Sequence, residues 1–219
     1  MMSLPKAESN RNTETSSFMD IKRHAETLAV ETISVVLGVI LALAANAWHD
    51  DRAHAAQAHE AMTAIRNELA INDSVLHLKV VYHRAMQDSL SALLARTKTR
   101  EVPGGQRAIE NWSGLQPSQL LDDAWQTARA TQAIQYVPYD VVVPLSRTYA
   151  MQQRITELNR AFFGVVYTPE FATGGVGALA AMDSYLQDLS SNEGRLVEQY
   201  DLELSQVDRF IGRAVRRPR

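Results

Sequence analysis

From Thr32 to Trp48 the chain carries no charged residue, and the apolar run extends back to Leu28 with Glu31 as its one interruption. A helix rising about 1.5 Å per residue covers about 25 Å over that stretch, close to the thickness of a bilayer's hydrocarbon core. The run therefore predicts a single transmembrane helix. Glu31 falls where a carboxylate can reach interfacial water while its stem lies along apolar surface. Trp48 closes the run, and an amphipathic ring at that place suits the headgroup level. Ser34, Gly38, Ala42 and Ala45 form a stripe of small residues on which a second membrane helix can pack closely, although any Ala-rich span has such a stripe.

Two other readings fit the same run. Ala42, Ala44, Ala45 and Ala47 offer A-x-A sites of the kind a signal peptidase cuts, but the long, mixed-charge stretch in front of the apolar core is atypical of a signal peptide. A buried helix of a soluble protein is the other. A retained anchor fits best, and its flanks set the expected orientation. Lys6, Arg11, Lys22 and Arg23 precede the run, whereas Arg52 and then Arg66 follow it. The positive-inside tendency then places the N-terminus in the cytoplasm and the remainder outside it, in a bacterial periplasm.

This expectation divides the chain into three: a polar, disordered cytoplasmic tail over residues 1–19, an anchor with its flanks over 20–52, and one helical extramembrane domain over 53–215. The 219 residues include no Cys, which removes disulfides, thiolate metal sites and thiol nucleophiles. A net charge of −3 gives no broad basic surface for nucleic acid. Arg209, Arg213, Arg216, Arg217 and Arg219 nonetheless make a basic terminus. It can hold anionic headgroups, or it can simply complement the negative end of a helix dipole.

Neither Gly nor Pro occurs between Gly38 and Pro103, so the span should run on into a long helix. Met62, Ile65, Leu69, Leu76, Val80, Met86, Leu90 and Leu93 recur at threes and fours, the spacing of one buried face. Asn72 falls in that stripe and reads either as a register-fixing polar residue or, with Asp73 and Ser74, as a break. Pro103, Gly104, Gly105, Gly114 and Pro117 predict a long loop. Ser118 is then expected to cap a helix burying Leu121, Ala124, Trp125 and Ala128, which ends at Val137 and Pro138. A third helix starts at Asp140, with Pro144 in its first turn, buries Leu145, Tyr149, Gln152, Ile155 and Phe162, and closes at Gly164. Met182, Leu186, Leu189, Leu196, Tyr200, Val207 and Ile211 mark a last long helix that Gly194 can kink. No segment alternates with period two, so the fold expected is all-α: an antiparallel bundle of about four helices, the first continuous with the anchor.

No arrangement here carries a catalytic signature. His49, His54 and His59 step by five, which turns each about 140° from the last on a helix and prevents convergence on one metal. His77 and His83 read as unpaired. Asp50 with Asp51, and Asp122 with Asp123, diverge by about 100° and cannot flank one substrate bond. Gly174, Gly175 and Gly177 lack the lysine and serine or threonine that a phosphate loop requires. No cofactor is called for. Trp112, Trp125, Tyr136, Tyr139 and Tyr149 are the candidate pocket or partner surface, with a plain core role as the alternative.

Residues 38–52 (GVILALAANAWHDDR), residues 124–133 (AWQTARATQA) and the stretch from Leu145 to Gln152 resemble an uncharacterised family of bacterial membrane proteins with one N-terminal span and a helical domain. Where that family pattern has Gly, this chain has Gln132. The resemblance implies an anchor and no activity. Taken together, these features point to a non-enzymatic accessory or scaffolding protein whose partners are the lipid bilayer and another membrane or periplasmic protein, or a second copy of itself. A ligand-binding sensory bundle is the alternative, and a membrane-anchored enzyme a more distant one.

Overall fold

A computed structural model describes residues 12–97, 113–172 and 175–216, with side chains over 31–96, 113–169, 171 and 175–213. Among these the chain is all-helical, without a strand. The helices are α1 (Asn12–Thr97), α2 (Asp123–Ala130), α3 (Tyr139–Val166), α4 (Pro169–Ala172) and α5 (Val176–Arg216), with a 3-10 turn at Ala133–Tyr136. The chain divides into two compact units, Met1–Ala53 and His54–Arg219.

In the first unit α1 begins at Asn12, inside the stretch expected to be a disordered tail, so residues 12–19 are helical instead. Extending an existing helix adds a hydrogen bond per residue without a new nucleus, which offsets a polar composition. From Glu31 to Asp50 every residue is exposed, including Ile33, Val35, Leu37, Ile40, Leu41 and Leu43. Between its charged ends this stretch is predominantly apolar on all sides, and nothing in its own unit covers it.

In the second unit α1 supplies one wall of the core through Met62, Ile65, Leu69, Leu76, Val80, Met86, Leu90 and Leu93, all buried as their spacing predicts. α5 answers with Met182, Leu186, Leu189, Leu196, Tyr200 and Val207, and α3 with Leu145, Tyr149, Ile155 and Phe162. Each such aliphatic or aromatic side chain contributes about 1.5–3 kcal/mol by leaving water. Pairings along α5 fix its direction. Arg66 bonds Asp208 at 3.0 Å, His83 meets Glu193 at 2.7 Å and Ser91 donates to Asp183 at 2.7 Å, so α5 runs antiparallel to α1. Gln206 reaches the Asp140 carbonyl and Tyr185 donates to Asn159, so α5 is antiparallel to α3 as well. Phe162 stacks on Tyr185 with ring centroids 3.9 Å apart, and Phe171 closes that end edge-on.

α1 and α3 therefore run the same way, and the chain between them must come back. Residues 113–138 do this along α1, from Tyr82 beside Gly114 to His54 stacked on Tyr136 at 3.9 Å. Only part of that return is helical. Ser118 caps nothing, because α2 starts at Asp123, and Leu121 is 42% exposed rather than buried. Trp125 and Ala128 do face the core. After α2 the chain reverses at Gln132, whose φ of 60° is the left-handed conformation that glycine adopts at least cost.

Three further expectations change. α3 starts at Tyr139, which puts Pro144 beyond its first turn, and it runs through Gly164 to Val166. α5 is continuous past Gly194, and the missing side chain there serves packing: a Cβ would lie 2.9 Å from the Arg84 guanidinium. α1 is likewise unbroken at Asn72.

Candidate functional site

The return segment poses a problem that the helices solve. Residues 113–122 form no regular structure, yet they lie against buried side chains, where an unpaired backbone N–H or C=O is costly. α1 supplies most of the partners and α3 one. Tyr82 donates to the Gly114 carbonyl, His83 Nε2 lies 3.0 Å from the Leu115 carbonyl, and Lys79 Nζ donates to the Gln116 side chain at 3.0 Å. Asn72 engages Leu121 twice: its Nδ2 donates to the carbonyl and its Oδ1 accepts from the amide, both at 2.8 Å. Gln152 from α3 donates to the same carbonyl at 3.0 Å. Further along, Gln57 donates to the Thr131 carbonyl at 3.1 Å.

Two buried carboxylates complete the strap. Glu68 accepts the Ala124 amide at 2.7 Å, the Trp125 amide at 3.4 Å and the Tyr149 hydroxyl at 2.6 Å. Asp122, next to the helix, makes no side-chain cap, so a carboxylate from α1 takes the free donors of α2 and sits at the positive end of its dipole. Burial and the facing Glu68 carboxylate push the Tyr149 phenol well above its ordinary value, which keeps it a donor. Trp125 stacks on Tyr149 at 4.9 Å above this group.

Glu193 is the second carboxylate. Its Oε2 lies 2.7 Å from His83 Nδ1, and its Oε1 accepts from Ser118 Oγ at 2.6 Å. All three side chains are buried. Serine, histidine and an acid occur together in hydrolases, but there the serine bonds the imidazole. Here Ser118 bonds the acid, and the second imidazole nitrogen faces a backbone carbonyl. Both ring nitrogens therefore face oxygen atoms, one of a carboxyl group and one of the backbone. The cluster ties α1, α5 and the return segment together and holds no free nucleophile.

The residues singled out in the sequence separate accordingly. Trp125 and Tyr149 are buried in the core, Tyr136 is half-buried against His54, and Tyr139 is 82% exposed. Trp112 lies outside the described residues. Ser34, Gly38, Ala42, Ala45 and Trp48 are all exposed on α1. Among the described residues no three His, Asp or Glu side chains converge as metal ligands would. No family model, curated protein or solved structure matches the chain.

Sequence reading alone did not reveal Glu68, His83 and Glu193. A signal was present. His83 falls between Val80 and Met86, and Glu193 between Leu189 and Leu196, on stripes whose other members are mostly apolar. A charged residue on a core stripe requires a partner, and three-dimensional proximity supplies it.

One helix among the described residues is long and apolar enough to cross a membrane, and its most apolar window has no buried share.

Proposed function

We propose that the chain is a single-pass, membrane-anchored accessory or scaffolding protein without enzymatic activity. Its N-terminus is cytoplasmic, and it presents a helical unit at the periplasmic face of a bacterial inner membrane to protein partners. In this reading the second unit acts as an antiparallel bundle of about four elements, with the strapped return segment standing in for much of one helix. The family that the sequence resembles has the same plan of one span and a helical domain.

The observation that carries the reading is the helix from Glu31 to Asp50, exposed at every residue, whose uncharged run from Thr32 to Trp48 is predominantly apolar around its whole circumference. A helix apolar on one face packs on its own protein, whereas one apolar all round requires lipid or another chain. The polar clusters of the second unit support the non-enzymatic part, since the buried Asn72, Glu68, His83 and Glu193 are engaged in bonds that hold the fold.

Cysteine accessibility in intact spheroplasts tests this. Single cysteines replace Ser17 and the exposed Thr127 in this Cys-free chain, Thr127 being preferable to Ser118, which is buried on Glu193. Labelling of full-length protein at position 127 alone by an impermeant thiol reagent is the expected result. Labelling at position 17 alone inverts the topology, and recovery of the protein without membrane removes the anchor.

A further inference from the structure

We propose that residues 113–121, the irregular part of the return segment, are a strap that opens as a unit while the helices of the second unit stay folded. Among the described residues no N–H or C=O of this stretch bonds to another backbone group, so side chains reaching over from other elements hold it in place. Tyr82 donates to the Gly114 carbonyl, His83 Nε2 faces that of Leu115, Ser118 donates to Glu193, and Asn72 brackets Leu121. Glu68 sets the hinge. It fixes the Ala124 and Trp125 amides, and Trp125 is buried against Tyr149, so the movement stops at Asp122.

The cost of opening follows from what the strap buries. Ser118 is the one buried residue of the stretch, and the leucines that reach the core, Leu115 and Leu120, are only partly buried. α1 and α5, by contrast, contribute the fully buried Leu69, Leu76, Leu189 and Leu196, whose exposure carries a large apolar penalty. The groups beneath the strap are polar. On opening, the buried Asn72, His83 and Glu193 take water in place of their strap partners, a replacement close to neutral, and His83 keeps Glu193 across α1 and α5. Backbone strain is released as well, because Gln116 is held at a φ of 45°, in the left-handed region that a side chain with a Cβ disfavours. The helices therefore keep their apolar seam when the strap lifts. Lifting it uncovers Asn72, Tyr82 and His83 on α1, side chains whose partners in the strap are main-chain atoms.

The test uses the full chain in mild detergent, with amide hydrogen exchange resolved to single residues. The Leu121 amide, bonded to Asn72 Oδ1, reports the strap, and the Leu189 and Leu196 amides report the helices. Corrected for intrinsic rates, Leu121 should exchange about a hundredfold faster than the two α5 amides, and low urea should speed the α5 amides while leaving Leu121 nearly unchanged. Tyr82→Phe removes the bond at the far end of the strap and should speed Leu121 about fivefold, because the opening that frees Leu121 also breaks that bond. The α5 amides should speed by the same factor, since unfolding breaks it too. Ser118→Ala, which releases the strap from Glu193, gives a second such readout from the middle of the stretch. Equal exchange and equal urea dependence at Leu121 and Leu196 would mean that the strap leaves only when the whole unit unfolds, and overturns the proposal. Fast exchange at Leu121 that neither variant changes, while the α5 amides speed up, overturns it as well, because that amide then frays alone.

Discussion

Asn72 reads the backbone of Leu121 from both sides, its amide nitrogen on the carbonyl and its amide oxygen on the N–H, each at 2.8 Å. A side-chain amide is the one neutral group that offers a donor and an acceptor at the spacing of a peptide unit. It gives Leu121, which lies in no regular element, the two bonds a strand neighbour would otherwise supply. Asn72→Ala removes both, and Gln152 can keep only the carbonyl satisfied. The expected loss is about 2 kcal/mol in denaturant unfolding, with Asn72→Leu no better despite its size, because the missing quantity is polar pairing rather than volume.

Glu68 holds three donors from two elements, and removing it strands them together. Glu68→Ala should cost about 3 kcal/mol or more, since the Ala124 amide and the Tyr149 hydroxyl lose their acceptor in a buried place. Tyr149→Phe should cost about 1 kcal/mol in the native background and nearly nothing after Glu68→Ala. A double-mutant cycle on thermal unfolding reads this coupling, and simple additivity would refute the shared role.

Stability should also fall as pH rises out of the ordinary carboxylate range. Burial pushes the Glu203 carboxyl upward, with the Gln199 amide on its Oε1 opposing that in part, and Oε2 has no hydrogen-bond partner among the described residues. Burial raises Asp73 too, His77 pulls it down, and Asp201 adds to the rise. A group whose folded value exceeds its unfolded value keeps more protons in the folded state between the two. Unfolding then becomes easier as pH climbs through that window. Glu203→Met fills a similar volume without the charge and should raise the melting temperature at neutral pH and flatten the slope. An unchanged slope would assign the pH dependence to Asp73 or elsewhere.

The long helices were legible because their stripes are dense and regular: every apolar position picked for α1 between Met62 and Leu93 is buried. Periodicity reports which face is covered and says nothing of what covers it. His83 and Glu193 are 110 residues apart, and no local pattern joins them. The same limit explains the error at Ser118. A serine before an apolar run is a good local cap, but a buried carboxylate on α5 outcompetes the backbone for its hydroxyl, and Glu68 on α1 takes over the capping of α2. The aromatic residues divided for a related reason. Trp125 and Tyr149 meet across α2 and α3, whereas Tyr139, in the first turn of α3, has no wall to lie against.

Pro144 leaves the Asp140 carbonyl without its helical donor, and Gln206 of α5 supplies one at 2.6 Å. In an α-helix that carbonyl would accept from the N–H four residues on, which proline lacks. The interhelical bond therefore repairs a defect in α3 while fixing the register of α5 against it. Gln206→Ala should destabilise by about 1 kcal/mol in the native sequence. Pro144→Ala restores the missing N–H and should reduce the cost of Gln206→Ala to a few tenths of a kcal/mol, since the carbonyl then has its own partner. Unfolding of the two single variants and the double variant measures the coupling directly. Equal costs in both backgrounds would mean that Gln206 acts through packing alone and that solvent satisfies Asp140.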